Sequence, residues 1–231
     1  MKYIFRLLSC FVFSATAIAQ PAANSSLAEA ARLMSQGQLT QAIAVLEPLA
    51  SQRNVAAQHN LAMIYARGGP GVSADLPKAL ELYQAAAKER FLPSIHNLGV
   101  MYQLGQVVQQ DYGRAMQNYQ VAGRMGYAPA LSSIAYLHAN GLGHPRDLVA
   151  AYAYLLIADT FGDANAKPSV ARVKAALTPD EREQGEIIAE KLSQRFIANI
   201  KNCQREIAKR NNLPFDEAAP PTSGLMVWCG T

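Results

Sequence analysis

The sequence predicts an all-α fold, an α-solenoid of stacked helical hairpins closed by one long C-terminal helix. Three observations carry this. Residues recur at a fixed interval: Asp75, Asp111 and Asp147 are spaced by 36, as are Ala79, Ala115 and Ala151, and Ala86, Ala122 and Ala158. Ahead of each aspartate runs an apolar stripe of helical spacing, broken by glycine. After the last unit, Thr178-Pro179-Asp180-Glu181 reads as a helix start, and apolar residues then hold one face for about thirty positions.

The chain of 231 residues opens on Lys2 and Arg6, then an apolar run from Leu7 to Ile18. Ala17-Ile18-Ala19 has the small-x-small pattern of a signal-peptidase site. Residues 1–19 are therefore expected to be a signal peptide cleaved near Ala19, which places the remainder in the periplasm or outside the cell. A membrane anchor is the alternative, although the run is short for a span. A lipoprotein site at Leu7-Leu8-Ser9-Cys10 is another, although almost no apolar stretch precedes Cys10. No later segment reaches membrane-spanning length, so stable membrane insertion is not expected. The formal net charge of +4 falls when Lys2 and Arg6 leave, too little for a nucleic-acid partner.

Residues 20–53 read as an N-terminal hairpin. Ala31 and Met34 lie in its first helix, Gly37 makes the turn, and Ala42, Leu46 and Leu49 lie in its second. Residues 54–177 hold three full units and one partial unit. In the first, Ala57, Leu61 and Tyr65 form the stripe, Gly68-Gly69-Pro70-Gly71 ends the helix, and Asp75 caps the next. Ala79, Leu82, Tyr83 and Ala86 make that helix's buried face. The second unit has Ser94, Leu98 and Tyr102, then Gly105, Asp111, Ala115, Tyr119 and Ala122. The third has Ala130, Ile134 and His138, then Gly141, Gly143, Asp147, Ala151, Leu155 and Ala158. Ala166 and Val170 start a fourth first-helix whose partner does not recur. Alanines at the crossings let neighbouring helices approach closely.

Residues 178–210 form the capping helix, with Ile188, Leu192, Phe196, Ile200, Cys203 and Ile207 on one face, expected to cover the open end of the solenoid. Residues 211–231 hold Pro214, Pro220, Pro221 and Gly224 and read as an irregular tail. Signal cleavage removes Cys10 and leaves Cys203 and Cys229. An even number in an exported chain favours one disulfide, with two free thiols as the alternative. The closed loop of about 26 residues would contribute about 3.5 kcal/mol in the chain-entropy account.

His59-Asn60-Leu61-Ala62-Met63-Ile64-Tyr65-Ala66-Arg67-Gly68 and His96-Asn97-Leu98-Gly99-Val100-Met101-Tyr102 with Gly105 resemble the Sel-1-like repeat, within the tetratricopeptide-like superfamily. Gly71-Val72-Ser73-Ala74-Asp75-Leu76-Pro77-Lys78-Ala79 and Tyr83-Gln84-Ala85-Ala86-Ala87 resemble it too. The resemblance covers about 55–165; the third unit departs from it with His138 in place of tyrosine. It implies a right-handed α-solenoid that acts as an adaptor. Exported bacterial members are similar in serving envelope assembly, secretion or host contact, and some resemble immunity proteins that neutralise phospholipase toxins in the periplasm. A cysteine-rich branch linked to β-lactam binding carries a disulfide in each repeat; no repeat here has a cysteine.

The expected function is therefore a non-enzymatic periplasmic or secreted scaffold for a protein partner, an envelope assembly component. The alternative is an immunity protein that blocks a secreted toxin such as a phospholipase effector. In such solenoids the first helices line the concave side. The partner-binding positions would be His59, Met63 and Arg67, then His96, Val100 and Gln103, then Ser132, Tyr136 and Asn140. The same positions would also make an ordinary solvated face with a few apolar residues. His59 and His96 are equivalent and could approach each other, but no carboxylate or thiol stands at matching positions, so no metal site is expected there. Lys201, Arg205, Lys209 and Arg210 cluster late in the last helix. They complement the helix dipole, with a patch for an acidic partner as the second reading. No G-x-S-x-G, H-E-x-x-H or phosphate-cradling glycine loop occurs, so no catalytic residue and no cofactor are expected.

Overall fold

A computed structural model describes residues 16–216, with side chains from residue 23. The described residues form ten helices and no strand. They are α1 (Thr16–Ser35), α2 (Leu39–Ser51), α3 (Val55–Arg67), α4 (Leu76–Lys88), α5 (Leu92–Leu104), α6 (Tyr112–Arg124), α7 (Ala128–Asn140), α8 (Leu148–Thr160), α9 (Ala166–Ala175) and α10 (Pro179–Arg210). Helices α1 to α8 pair into four hairpins, and each packs on the next to make an α-solenoid.

Each hairpin from α3 onward is built by one repeated device. The aspartates take the N-cap position, and their carboxylates accept the backbone N–H of Lys78, Arg114 and Ala150 at 3.0, 2.8 and 2.8 Å. Their own N–H groups donate to the carbonyls of Tyr65, Tyr102 and His138 at 2.8, 2.9 and 2.9 Å. One residue therefore starts the second helix and ties it to the end of the first.

The recurrent alanines lie where the sequence puts them. Ala79, Ala86, Ala115, Ala122, Ala151 and Ala158 are fully buried, and Tyr119 fills the space beside them without exposure. Helix α5 makes room for that ring with Gly99, where a Cβ would come within 2.5 Å of Tyr119 Cε1.

The first helices keep a different interval from the second. They start at Val55, Leu92 and Ala128, spaced by 37 and then 36, whereas α4, α6 and α8 keep 36 throughout. The extra residue lies in the connection 68–75, one longer than 105–111 and 141–147. A second local irregularity is Val107. It sits 36 residues after Gly71 and before Gly143 and shares their left-handed backbone, at φ 66° against 75° and 79°. A β-branched side chain is strained there.

In the N-terminal hairpin, Ala42 and Leu46 are buried as expected, but on α1 the buried residues are Ala30 and Leu33, and Ala31 is exposed. Ala31 and Met34 lie in α1 as expected, and the buried pair Ala30 and Leu33 joins the core formed by α2 and α3. The bond after Ala19 lies within the first turn of α1. Residues 1–15 fall outside the described residues.

Helix α10 spans the expected residues and opens on the capping box: Thr178 N–H donates to Glu181 Oε2 at 2.8 Å, and Glu181 N–H donates back to Thr178 Oγ1 at 3.3 Å. It does more than close an end. It packs along α8 and reaches α6, seating Gly185 against the Tyr152 ring and Ile200 against Gly126 at the α6–α7 turn. The reason is the composition of α8. Leu148 to Ile157 is apolar all round apart from its tyrosine hydroxyls, and such a helix must be enclosed. Helices α7, α9 and α10 enclose it. Phe196, Ile200 and Cys203 are the buried anchors of the expected stripe, while Ile188, Leu192 and Ile207 stay half-buried. Cys229 lies outside the described residues, as does most of the tail, so the expected pair with Cys203 falls outside them too.

Two stability outcomes follow from this packing. Ala115→Leu should cost roughly 1–3 kcal/mol by forcing α5 and α6 apart, read as a lower urea midpoint at unchanged slope. Val107→Gly should gain about 1 kcal/mol by relieving the left-handed valine, measured the same way.

Candidate partner-binding face

Helices α3, α5 and α7 each have 13 residues, so positions can be matched directly. The fifth positions are His59, His96 and Ser132. The ninth are Met63, Val100 and Tyr136, and the thirteenth are Arg67, Leu104 and Asn140. These rows lie at i, i+4 and i+8 and share one face of each helix. Leu104, not Gln103, therefore matches Arg67 and Asn140. The sequence-based choice of Gln103 falls one position short of this row, although His96 and Val100 stand on theirs. Gln103 is engaged inward: its Oε1 accepts the Tyr119 hydroxyl at 2.8 Å, and its carbonyl accepts Gln110 Nε2–H at 2.9 Å.

Exposure grades along this face. Arg67 and Asn140 are exposed, Leu104 is 54% exposed and Tyr136 is 51% exposed. Met63 and Val100 are half-buried beneath them. The face thus offers two large apolar groups, one guanidinium and one amide at its outer rows.

The fifth positions behave differently from the expectation of a binding surface. His59 is 8% exposed and lies between the Tyr83 and Phe91 rings, with ring centres 5.6 and 5.2 Å away. Its Nδ1 is 2.9 Å from Ser94 Oγ, in the next first-helix. His96 repeats the arrangement between Tyr119 and Tyr127, at 5.3 and 5.5 Å, with Nε2 3.0 Å from Ser133 Oγ. Ser133 Oγ in turn donates to the Pro129 carbonyl at 3.1 Å, so His96 Nε2–H is the donor in the pair. Ser132 donates to the Asp163 carboxylate, whose other oxygen accepts Asn165 N–H at 3.0 Å. Each unit therefore reaches into its successor by one polar rung. His59 is a packing residue and is removed from the set that can touch a partner. His96 and Ser132 are half-buried and spend their polar atoms on these rungs.

The rungs are neutral where they are histidines. Burial holds the His59 imidazole down at about 4, helped by the nearby His96. Burial also lowers His96, against the opposing pull of Asn97 and Asp163. Burial pushes the Tyr83 phenol up to about 12, although Asn97 and the Arg67 charge pull the other way. A separate small cleft of about 200 Å³ opens between α6, α8 and α10, lined by Arg124, Tyr154, Arg195 and Phe196 among others.

The two hydroxyl–imidazole pairs, Ser94 with His59 and Ser133 with His96, lie between stacked units and serve as rungs, and the described residues hold no cluster of three or more His, Cys, Asp or Glu placed for a metal ion. No described helix is long and apolar enough to cross a membrane.

Protonation of the rungs gives a pH dependence with a defined sign. His59 has a folded value near 4 against about 6.5 when unfolded. Its contribution is complete above about pH 6.5 and is lost as pH falls toward 4, because the unfolded chain binds the proton more readily. Urea midpoints should fall from pH 7 to pH 5, and His59→Gln should flatten part of that fall. An equal slope in both proteins would remove His59 as the cause.

Comparison with known proteins places these units. The Sel1 repeat family matches residues 55–90, 92–127 and 128–158. Among solved structures, the chain is similar to a Sel1 repeat protein from Oxalobacter formigenes, with 22% identity and a TM-score of 0.60 over 84% of this chain and 82% of that one. It is also similar to a protective antigen of uropathogenic Escherichia coli that displays an SLR fold, with 18% identity and a TM-score of 0.47 over 87% and 50%. An immunity protein from Pseudomonas aeruginosa is similar with 20% identity and a TM-score of 0.40 over 79% and 82%. Below a TM-score of 0.5 the latter two do not bear on the fold. No curated protein sequence matches the chain at a significant level.

Proposed function

Residues 55–158 belong to the Sel1 repeat family, whose members act as protein–protein interaction scaffolds, and from that premise we propose that this chain is a non-enzymatic adaptor working in the periplasm or outside the cell. Its partner is a protein component of an envelope assembly, held on the outer rows of α3, α5 and α7. The observation that carries this reading is the row Arg67, Leu104, Asn140 with Tyr136 beside it. Leu104 and Tyr136 stand about half exposed in adjacent rows of stacked helices, flanked by a guanidinium and an amide. Arginine and tyrosine are the residue types that most often dominate such contacts. Packing leaves Arg67, Leu104 and Tyr136 exposed, whereas it consumes His59 and Gln103; the Asn140 amide donates to the Tyr136 carbonyl at 2.8 Å.

Export rests on Lys2, Arg6, the run Leu7 to Ile18 and the Ala17-Ile18-Ala19 site. The same compartment would allow Cys203 to pair with Cys229. Intact mass of the protein purified from the envelope fraction reads both features together: loss of residues 1–19, and two mass units less than the reduced chain.

The test of the adaptor reading is affinity capture from the native envelope with the processed protein and with Arg67→Ala/Tyr136→Ala. The expected result is a partner retained by the first and lost by the second, with both proteins melting at the same temperature. A partner retained equally by both would overturn the placement on this face. A captured toxin in place of an assembly component would turn the reading to the inhibitory alternative.

A further inference from the structure

The third unit departs from its neighbours at three coordinated positions. The eleventh residue of the first helix is Tyr65 in α3 and Tyr102 in α5, and each ring receives a cation from the second helix. Lys78 Nζ lies 4.1 Å from the Tyr65 ring centre, and the Arg114 guanidinium lies 5.5 Å from that of Tyr102. In α7 the eleventh residue is His138, and the position of Lys78 and Arg114 is taken by Ala150. The place of the cation is filled instead by His144, from the connection 141–147. The two imidazole centres are 4.3 Å apart, with planes inclined at 44°.

These rings present two unused nitrogens. His138 Nδ1 and His144 Nε2 are buried side-chain atoms without a hydrogen-bond partner among the described residues. Buried polar atoms of this kind are rare in folded chains and call for an explanation. For His144 the protonation is fixed by geometry. Its Nδ1 lies 2.8 Å from the Pro145 carbonyl, which can only accept, so Nδ1 carries a proton and Nε2 is the nitrogen that bears the lone pair in the neutral ring. A ring N–H anchored on a carbonyl while the other nitrogen stays free is the arrangement found behind metal-bound histidines. His138 is held by stacking on Tyr154, with ring centres 5.7 Å apart and planes 12° from parallel.

We propose that His138 and His144 form a two-imidazole site for a divalent transition-metal ion, with solvent completing the coordination sphere. Two imidazoles bound side by side at about 2.0–2.1 Å have ring centres roughly 4.6 Å apart for a right angle and roughly 5.3 Å for a tetrahedral one. The separation here is 4.3 Å. A small outward shift of the 141–147 connection, which carries Gly141 and Gly143, therefore seats an ion. Right-angled coordination by nitrogen suits Cu2+ best, and the order of divalent affinities also puts it first. The carboxylates of Asp147 and Glu181 border the same surface pocket. Asp147 Oδ1 caps Ala150, and Glu181 Oε2 accepts from Thr178, so both are already engaged. With two protein ligands the ion is exchangeable and is not a structural requirement of the fold.

The test is calorimetric titration of the tag-free processed chain with Cu2+ and with Zn2+ at pH 7.5, alongside His138→Gln, His144→Gln and the double variant. Circular dichroism melts of each verify folding. The expected result is one ion per chain, bound more tightly for Cu2+ than for Zn2+. Either single variant should weaken it at least tenfold. The paramagnetic resonance spectrum of the Cu2+ form should show two nitrogen ligands, lost in the double variant. Absence of saturable binding by the unaltered chain would overturn the proposal. So would binding of equal strength and stoichiometry in the double variant, which would assign the ion to another place. His144→Gln alone keeps the test usable if the α7 variant misfolds, because residue 144 lies in the connection outside the helices.

Discussion

The bond from the backbone N–H of Asp75, Asp111 and Asp147 to the carbonyl near the end of the preceding helix is the constraint on which the array depends. It closes each hairpin at one residue, while the same residue's carboxylate starts the next helix. Once closed there, the two helices have one relative register, and alanine becomes necessary wherever they cross. Ala79, Ala115 and Ala151 stand four residues after each cap and have no exposed surface. Tyr119 and Gly99 are paired for the same reason, one ring occupying the volume that a missing side chain leaves.

Much of this could be read from the sequence, because caps, breakers and helical stripes are local. The bounds of α10 followed from Thr178 to Glu181 and the length of its apolar face. The misses share a different origin. Gln103 was placed one position short of the row that His96 and Val100 define, and its inward bond to Tyr119 comes from a residue of the next helix. The burial of His59 depends on Ser94 and Phe91, more than thirty residues away, and a histidine on a helix face carries no local mark of a distant hydroxyl. The course of α10 along α8 and α6 was foreshadowed only by the apolar surface all round α8, a signal that a search for one-sided stripes passes over.

The polar rungs give the array a direction. His59 reaches forward to Ser94, His96 to Ser133 and Ser132 to Asp163, so each first helix presents a donor or acceptor that only its own successor answers. The successive partners differ, and the third rung replaces imidazole by hydroxyl and carboxylate. The units are thus alike in backbone but not interchangeable in sequence. The variation that could suit a partner, at Met63, Val100 and Tyr136 and along the row above them, is carried one turn or more from these rungs, where it does not disturb stacking.

Helix α10 also makes the array mechanically uneven. It straps α8 to α6, so the second and third units are joined both by stacking and by a common splint. Helices α1 to α4 pack mainly on their sequence neighbours. In a nearest-neighbour array, bending concentrates where such ties are fewest. The molecule is therefore stiffest around α8 and most compliant over α1 to α4, so a change in the curvature of the array would be taken up in its first two hairpins.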